Sequence, residues 1–520
     1  MSAPLLVVNA RPWSGTPLAA DAVLLHDGLI QAVGARAALA ALGPGARVID
    51  AEGATITPGL VDAHLHLVPW ACARRQLDLA DAPSRAGVLA AVSAALAESP
   101  PGETPLIGRG WDEHGWEAAP DRASLDAIAP SRPVLLHRHD FHALWVNGAA
   151  YQAAGIGRDT ADPAAGRFER DSAGELSGLV RENAVRAFQA LEERAGPVPD
   201  DALLDQAAHA LHVKGITSVH DYQRNAEDWK RMRALAGRRR LRVLQHVGSE
   251  QVRGAAAAGL RGGAGDDWFR TGSLKLFADG TLGSRTAAML EPYDDTPALG
   301  MALLEPEALG DLVGEGAAAG FSVAIHAIGD RAVRNGLDAI AAHREALSRL
   351  PLPPRLEHVQ LVDESDLPRF AMLGVAASMQ PQHAATDAAV ARLAWGRRCR
   401  LAYAWRSLHE AGVPLAFGSD APVEPPDAPL GLACAVARLT RDGAPFQPEQ
   451  AIPLDLALHA YTAGAARLAA GRLGRGTLEP GEPADLVVWD RDLHRTKPGD
   501  LAGARPRVTV LAGEIVYDSG

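Results

Sequence analysis

Thr57-Pro58-Gly59-Leu60-Val61-Asp62-Ala63-His64-Leu65-His66 is an apolar run that ends in two histidines one residue apart. Pro-Gly punctuates its start, and the run reads as a β-strand. In a strand, residues i and i+2 point to the same side. His64 and His66 would therefore leave the strand's C-terminal end together, spaced to hold one metal ion; the plainer alternative is two solvent-facing histidines. A second stretch, Gly272-Ser273-Leu274-Lys275-Leu276-Phe277, favours the metal. Only four of the 51 basic residues are lysine: Lys214, Lys230, Lys275 and Lys497. A chain that otherwise uses arginine places a lysine inside an apolar, strand-like run, where a charge is costly. Arginine stays charged, whereas a buried lysine can lose its proton and act as a nucleophile. A neutral Lys275 amine can add carbon dioxide and become a carbamate, an anionic ligand able to bridge two metals.

Working outward, the composition is that of an ordinary soluble globular chain of 520 residues, 47% hydrophobic and 22% charged. A net charge of −12 argues against nucleic acid and anionic membranes as partners. Cys72, Cys399 and Cys434 are too few and too scattered for a disulfide framework or a cysteine metal site. The first residues lack the basic flank and cleavage pattern of a signal peptide, and no apolar run approaches the ~18 residues of a membrane span. The expected home is a reducing cytoplasm, and a homodimer is the base-rate expectation for assembly.

Residues 1–57 read as short strands (Leu5–Asn9, Ala22–Leu25, Leu29–Val33, Arg47–Asp50) separated by turn signals such as Asp27-Gly28. Residues 471–520 look similar, with Ala484–Asp490, Val508–Leu511 and Ile515–Tyr517. Each end is too small to bury a core alone, so the two are expected to pair into one β-sandwich. Residues 58–470 alternate apolar strands with helices, the pattern of βα units around a parallel sheet. Eight strands are expected: Leu60–His64, Pro133–His137, Thr217–His220, Leu274–Phe277, Phe321–His326, Arg355–His358, Val375–Met379 and Pro414–Ser419. That is the number a (β/α)8 TIM-like barrel needs. The long gap between the first and third strands predicts an insertion over the barrel mouth at about residues 75–200. The expected fold is thus α/β, a barrel plus a small composite β-sandwich built from both chain ends.

Several of these strands end in a metal-capable residue: His64 and His66, Lys275, His326, His358 and Asp420. In a barrel the C-terminal strand ends converge on the one face where barrel active sites lie. Any single histidine could be a satisfied core residue; six such residues, each at a strand end, are harder to dismiss. Together they can hold two divalent ions with a bridging hydroxide.

These residues, with Asp279-Gly280-Thr281-Leu282-Gly283-Ser284, His326-Ala327-Ile328-Gly329-Asp330, Glu357-His358, Ser378-Met379-Gln380-Pro381 and Gly418-Ser419-Asp420-Ala421-Pro422, give the chain an end-to-end resemblance. It resembles the amidohydrolase superfamily, and within it the amidohydrolase family 3 branch that includes N-substituted formamide deformylases. The resemblance implies a binuclear site with carboxylated Lys275, although superfamily members differ in whether one or two metals are kept. Zn²⁺ is the first expectation; Mn²⁺, Fe²⁺, Co²⁺ or Ni²⁺ also suit imidazole and carboxylate ligands. Nucleobase deaminases of the superfamily commonly carry a Glu three residues after the strand-five His, where this chain has Gly329. The expected reaction is therefore hydrolysis of an amide-like C–N bond in a small molecule by metal-bound hydroxide, with Asp420 as general base and then general acid. The rivals are a mononuclear deaminase, an ester or lactone hydrolase on the same scaffold, and a non-catalytic regulatory or scaffolding relative.

The resemblance also points to His220, at the end of the third expected strand, as a carbonyl-polarising catalytic group, and to Gln380 and His383 on the substrate side. Asp140 and His142 follow the second expected strand and could reach a substrate. Arg285 could grip a carboxylate through a bidentate bond, with Asp279 close by in the chain. Trp111 and Trp145 would form apolar walls.

Overall fold

The computed structural model describes residues 3–98, 104–164, 166–195, 199–222, 225–470 and 476–520. The chain forms two compact units. The first comprises residues up to Leu67, Leu204–Leu282 and Ala287–Gly520; the second comprises Val68–Leu203 with Gly283–Thr286.

The first unit is organised on eight parallel strands: β1 (Leu60–Leu65), β2 (Ile216–Tyr222), β3 (Arg242–Gly248), β4 (Phe269–Phe277), β5 (Val323–Ala327), β6 (Arg355–His358), β7 (Ala376–Met379) and β8 (Leu415–Phe417). Each pairs with the next in sequence order, from β1 against β2 to β7 against β8. The sheet closes just beyond β8, where Leu65 bridges Ala421 in parallel. There the Asp420 amide donates to the His64 carbonyl at 2.6 Å, and the His66 amide donates to Ala421 at 2.8 Å. The strands are buried on both faces, as parallel barrel strands must be.

Seven of the eight strands lie where the sequence places them. The exception is a correction. Val134–Arg138 pairs with Leu106–Trp111 and Ala143–Val146 in the second unit and is not a barrel strand. The missing barrel strand is β3. Arg242, Gln245 and His246 break its apolar run, yet all three are buried. A barrel interior accepts such residues when each has a polar partner: Gln245 donates to the Asp221 carboxylate at 2.8 Å, and the Nη2 of Arg355 lies 2.8 Å from His246 Nε2.

The two chain ends build a pair of sheets. One runs in the order Leu29–Gly34, Ala22–His26, Leu5–Val8, Arg47–Asp50. The other runs Arg11–Pro12, Thr55–Pro58, Leu486–Trp489, Pro506–Leu511, Glu514–Asp518, with Thr57 opposite Val487. Val7, Val23, Leu25 and Ile30 from one sheet share a buried cluster with Ile56, Leu486, Val488 and Val510 from the other. The expected boundary between residues 470 and 471 falls at 471–475, outside the described residues.

The second unit holds a six-stranded sheet in the order Gly166–Arg170, Leu176–Glu182, Ala143–Val146, Val134–Arg138, Leu106–Trp111, Leu77–Asp78. It has its own apolar cores.

Candidate metal centre

The C-terminal ends of the barrel strands bring four of the six expected ligands, His64, His66, His358 and Asp420, into two clusters that share Asp420. His64, His66 and Asp420 each offer a ligand atom within 4.8 Å of the others, and so do His358, His383 and Asp420. Asp420 Oδ1 lies 3.3 Å from His64 Nε2 and 3.4 Å from His66 Nε2. Asp420 has φ +60 and His358 φ +75, backbone that non-glycine residues rarely adopt. Such strain persists where surrounding structure over-determines it. Here Asp62 does so. Its carboxylate accepts from the Ser419 hydroxyl (2.6 Å), the Ser419 amide (3.0 Å) and the His64 amide (3.2 Å). It thereby ties the residue before Asp420 to the strand that carries His64. A Cβ on Gly418 would collide with the His64 backbone nitrogen, so this closure requires glycine.

The interior of the barrel is polar. The Glu357 carboxylate accepts from His64 Nδ1 at 2.7 Å and from the Tyr222 hydroxyl at 2.6 Å, and it pairs with Arg355 Nε at 2.6 Å. Burial works against its charge, but the Arg355 guanidinium and His64 hold it well below the usual carboxylate range. A carboxylate can only accept, so the His64 proton sits on Nδ1. Burial pulls His64 down to about 4, which leaves it neutral near pH 7. His64 Nε2 therefore turns a lone pair toward Asp420 Oδ1. Two lone pairs at this distance repel, and a cation between them removes the conflict. The donor set thus fits a divalent ion.

Lys275 lies near the C-terminal end of β4. Its Nζ is buried and has no hydrogen-bond partner among the described residues. It lies 4.4 Å from the centroid of the Tyr222 ring. Burial, aided by Arg355, pulls the amine down to about 8. About one amine in ten is then neutral at pH 7, against roughly one in a few thousand at the ordinary value. That fits a lysine poised to take up carbon dioxide. His326 is 4.5 Å, ring to ring, from His358, and its Nε2 lies 3.1 Å from the Gly280 carbonyl.

His220 belongs to β2, the second barrel strand rather than the third. Arg355 Nη1 donates to its Nδ1 at 3.0 Å, which places the ring proton on Nε2. That N–H is buried with no protein acceptor among the described residues. Gln380 is committed through its carbonyl oxygen, 2.8 Å from His358 Nδ1, so it orients a ligand before it can touch a substrate.

Asp279 needs a correction. It is fully buried and accepts from the backbone amides of Ala288 (2.9 Å), Ile328 (3.0 Å) and Gly329 (2.8 Å). Its carboxylate is a staple for the loop after β5, and its Oδ1 lies 3.6 Å from His326 Nε2, so it stands behind a candidate ligand. The tryptophan walls are likewise core residues. Trp111 and Trp145 pack edge to face, 6.1 Å apart, inside the second unit, with Trp111 Nε1 donating to Leu136 O at 2.7 Å and Trp145 Nε1 to Asp121 O at 2.9 Å.

Asp140, His142 and Arg285 also belong to the second unit. His142 Nδ1 meets Glu182 at 2.7 Å, and Arg285 is half-buried in the turn at 283–286. Asp140 pairs with the buried Arg138 at 2.7 Å; Arg138 also grips Glu113 (2.7 Å) and Asp112 (2.9 Å). One guanidinium thus faces three carboxylates. Burial opposes charge on Asp140, but Arg138 outweighs it and lowers the carboxyl from 3.8 to about 2. The stability this contributes, about 2 kcal/mol, is complete above the unfolded value and is lost as pH falls through the folded one. Asp140→Asn should melt several degrees below the wild type at pH 7. The gap should shrink steadily from pH 4 to pH 2, and a gap independent of pH would refute the ion pair's contribution.

The family can now be read from outside the chain. Residues 47–517 match the family model described as "Amidohydrolase family". The chain belongs to the amidohydrolase family. YtcJ of Bacillus subtilis, whose name assigns it to the amidohydrolases without stating a substrate, is 34% identical, over 96% of each chain. The N-substituted formamide deformylase of Arthrobacter pascens is 29% identical, over 99% of this chain and 98% of that one. Among solved structures, a metal-dependent hydrolase from Pyrococcus horikoshii OT3 superposes with a TM-score of 0.77 at 26% identity, covering 95% of this chain and 99% of that one. As an amidohydrolase this chain is an enzyme, a metal-dependent hydrolase acting on carbon–nitrogen bonds other than peptide bonds. No helix among the described residues is long and apolar enough to cross a membrane.

The sequence singled out candidate ligands but not the buried residues bonded around them: Asp62, Tyr222, Arg355 and Glu357. A signal was present. Arg355 and Glu357 are i and i+2 in a strand read as buried, so they share a face and must be paired there.

Proposed function

We propose that this amidohydrolase cleaves an amide-like C–N bond, in an N-acyl or N-formyl amide or a close relative, at a centre of two divalent ions. His64, His66, His326, His358, Asp420 and a carboxylated Lys275 would hold them, with Zn²⁺ the first expectation. The observation that carries this reading is the lone-pair conflict between His64 Nε2 and Asp420 Oδ1 at 3.3 Å, beside an unpartnered buried lysine amine. Divalent ions bound here would supply Lewis acidity toward a carbonyl and lower the pKa of water toward neutrality.

The rest falls to the chain. Asp420, ionised at neutral pH, takes a proton from the attacking water and returns it to the leaving nitrogen. His220 Nε2–H, buried and without an acceptor among the described residues, would be the donor to the substrate's carbonyl oxygen. Glu357 keeps the His64 proton on Nδ1, and Gln380 keeps the His358 proton on Nδ1, so each histidine presents Nε2. Ring deamination is disfavoured because a Cβ on Gly329 would collide with the Ala288 carbonyl, leaving no room for an acid at that position. The relative from A. pascens, an N-substituted formamide deformylase by name, supports a small acyl group.

Metal content per chain tests this, measured for the wild type and Lys275→Ala purified with bicarbonate. About two equivalents in the wild type, falling in the variant, is the expected result. One equivalent, unchanged by the substitution, would overturn the carbamate-bridged pair. Products then separate the chemistries: an amine plus an acid for amide hydrolysis, ammonia for deamination, an alcohol for ester cleavage.

A further inference from the structure

We propose that the N-terminal end of the barrel carries a second small-molecule site, one that takes a monocarboxylate with a short aliphatic tail. A cavity of about 330 Å³ opens there. Its wall includes Ala376 and Leu415, the first residues of β7 and β8, and Pro353, just ahead of β6. The candidate ligands gather at the opposite, C-terminal ends of the strands, so this cavity is no part of the metal centre. It stands whether that centre holds one ion or two. All of its lining belongs to the first unit. Its volume falls at the lower end of the range for small-molecule sites, roughly 300–1,000 Å³.

The lining has two characters. Val413 and Leu468 join the strand-end residues in an apolar wall. Against it stand His409, His459 and Arg467, brought in by three helices: His409 from Trp405–Glu410, His459 from Leu454–Ala460, and Arg467 just after Ala463–Ala466. No acid lines the cavity among the described residues. None of the three side chains has a hydrogen-bond or ion-pair partner among them either. Exposed arginines nearby in the chain do find carboxylates: Arg400 meets Glu364 at 2.7 Å, and Arg406 meets Glu410 at 3.2 Å. The second pair also occupies the acid next to His409.

Charge complementarity selects the ligand. Burial holds His459 below its ordinary value, and Arg467 and His409 push it the same way. Positive groups thus face one another across the cavity, and an anion between them relieves the conflict. Arg467 is the one permanent charge in the lining, and its planar fork matches the two oxygens of a carboxylate. A single permanent charge suits a monoanion better than a phosphate dianion. The imidazole N–H groups of His409 and His459 add donors beside it. The apolar wall then takes the tail, each buried methylene adding to affinity.

The test is isothermal titration calorimetry of the full chain, metal in place, with octanoate, octylamine and inorganic phosphate, for the wild type, Arg467→Met and His409→Gln. Both positions are exposed, so neither substitution disturbs the core. Octanoate should bind the wild type saturably. Arg467→Met should weaken it at least ~10-fold, and His409→Gln by a few-fold. Octylamine and phosphate should each bind the wild type at least ~10-fold more weakly than octanoate. A carboxylate can also meet the metal centre, but binding there does not depend on Arg467. Octanoate that binds the wild type and Arg467→Met equally would therefore overturn the assignment, as would the absence of saturable binding. Phosphate that binds as tightly as octanoate would overturn the monocarboxylate. Should Arg467→Met fail to fold by circular dichroism, His409→Gln decides: unaltered octanoate affinity overturns the assignment.

Discussion

Asp420→Asn is expected to lower kcat by about 10³-fold, the middle of the range for losing a general acid–base group. Asparagine keeps the shape of the side chain and tolerates the left-handed backbone that φ +60 imposes. The Asp420 amide would still donate to the His64 carbonyl, so closure of the barrel between β1 and β8 survives. What disappears is the negative charge and the proton-accepting oxygen beside His64 and His66. The amide oxygen remains a weak ligand, so at least one ion should stay bound. The check is turnover on an amide found by panel screening, read beside metal content and a thermal melt. A variant within a few-fold of wild-type kcat, with its metal retained, would remove Asp420 from the proton-transfer role. A variant that loses both ions would show that the carboxylate matters first as a ligand.

The parts of this protein that were legible from sequence are those where one residue type at one strand position has few uses. A histidine pair at i and i+2, a lone lysine in an apolar run, and an aspartate after Phe417-Gly418-Ser419 each place a donor at a strand end without knowledge of tertiary contacts. What was illegible depends on partners far apart in the chain. Arg242-Val243-Leu244-Gln245-His246 fails as a strand on periodicity because its polar residues are buried in pairs, and a pair cannot be seen from one member. Val134–Arg138 has the apolar composition of a barrel strand but pairs with Leu106–Trp111 and Ala143–Val146; composition gives strand type, and pairing decides the sheet. Asp279 looked like a substrate contact because it lies near Lys275 in the chain. The backbone amides of Ala288, Ile328 and Gly329 claim its carboxylate, and the side chain it lies beside is His326, at 3.6 Å.

Glu357→Gln should be the most damaging substitution for stability, by about 3–5 kcal/mol, because it leaves a buried guanidinium without its counter-ion. Arg355 and Glu357 are both essentially inaccessible to solvent, and no other carboxylate pairs with Arg355 among the described residues. Arg355 also holds Tyr222, His220 and His246, so an unbalanced charge there loosens three strands at once. The second consequence is chemical. A glutamine amide can turn either its oxygen or its nitrogen toward His64 Nδ1, so the proton is no longer fixed on that nitrogen. Nε2 then spends part of its time protonated and unable to bind an ion. Metal affinity should fall ~10-fold or more for the ion held by His64 and His66. The two effects separate in the double variant Glu357→Gln/Arg355→Met. Removing the orphaned charge should recover part of the stability, since both members of the pair are then gone. Affinity should not recover, since the carboxylate that fixed the His64 tautomer is still missing. Chemical denaturation midpoints and Zn²⁺ dialysis on the three proteins distinguish these outcomes. If the double variant is no more stable than Glu357→Gln, the cost lies in lost hydrogen bonds to His64 and Tyr222 and not in the unpaired guanidinium. If affinity recovers along with stability, the barrel's shape positions His64, and its tautomer does not depend on Glu357.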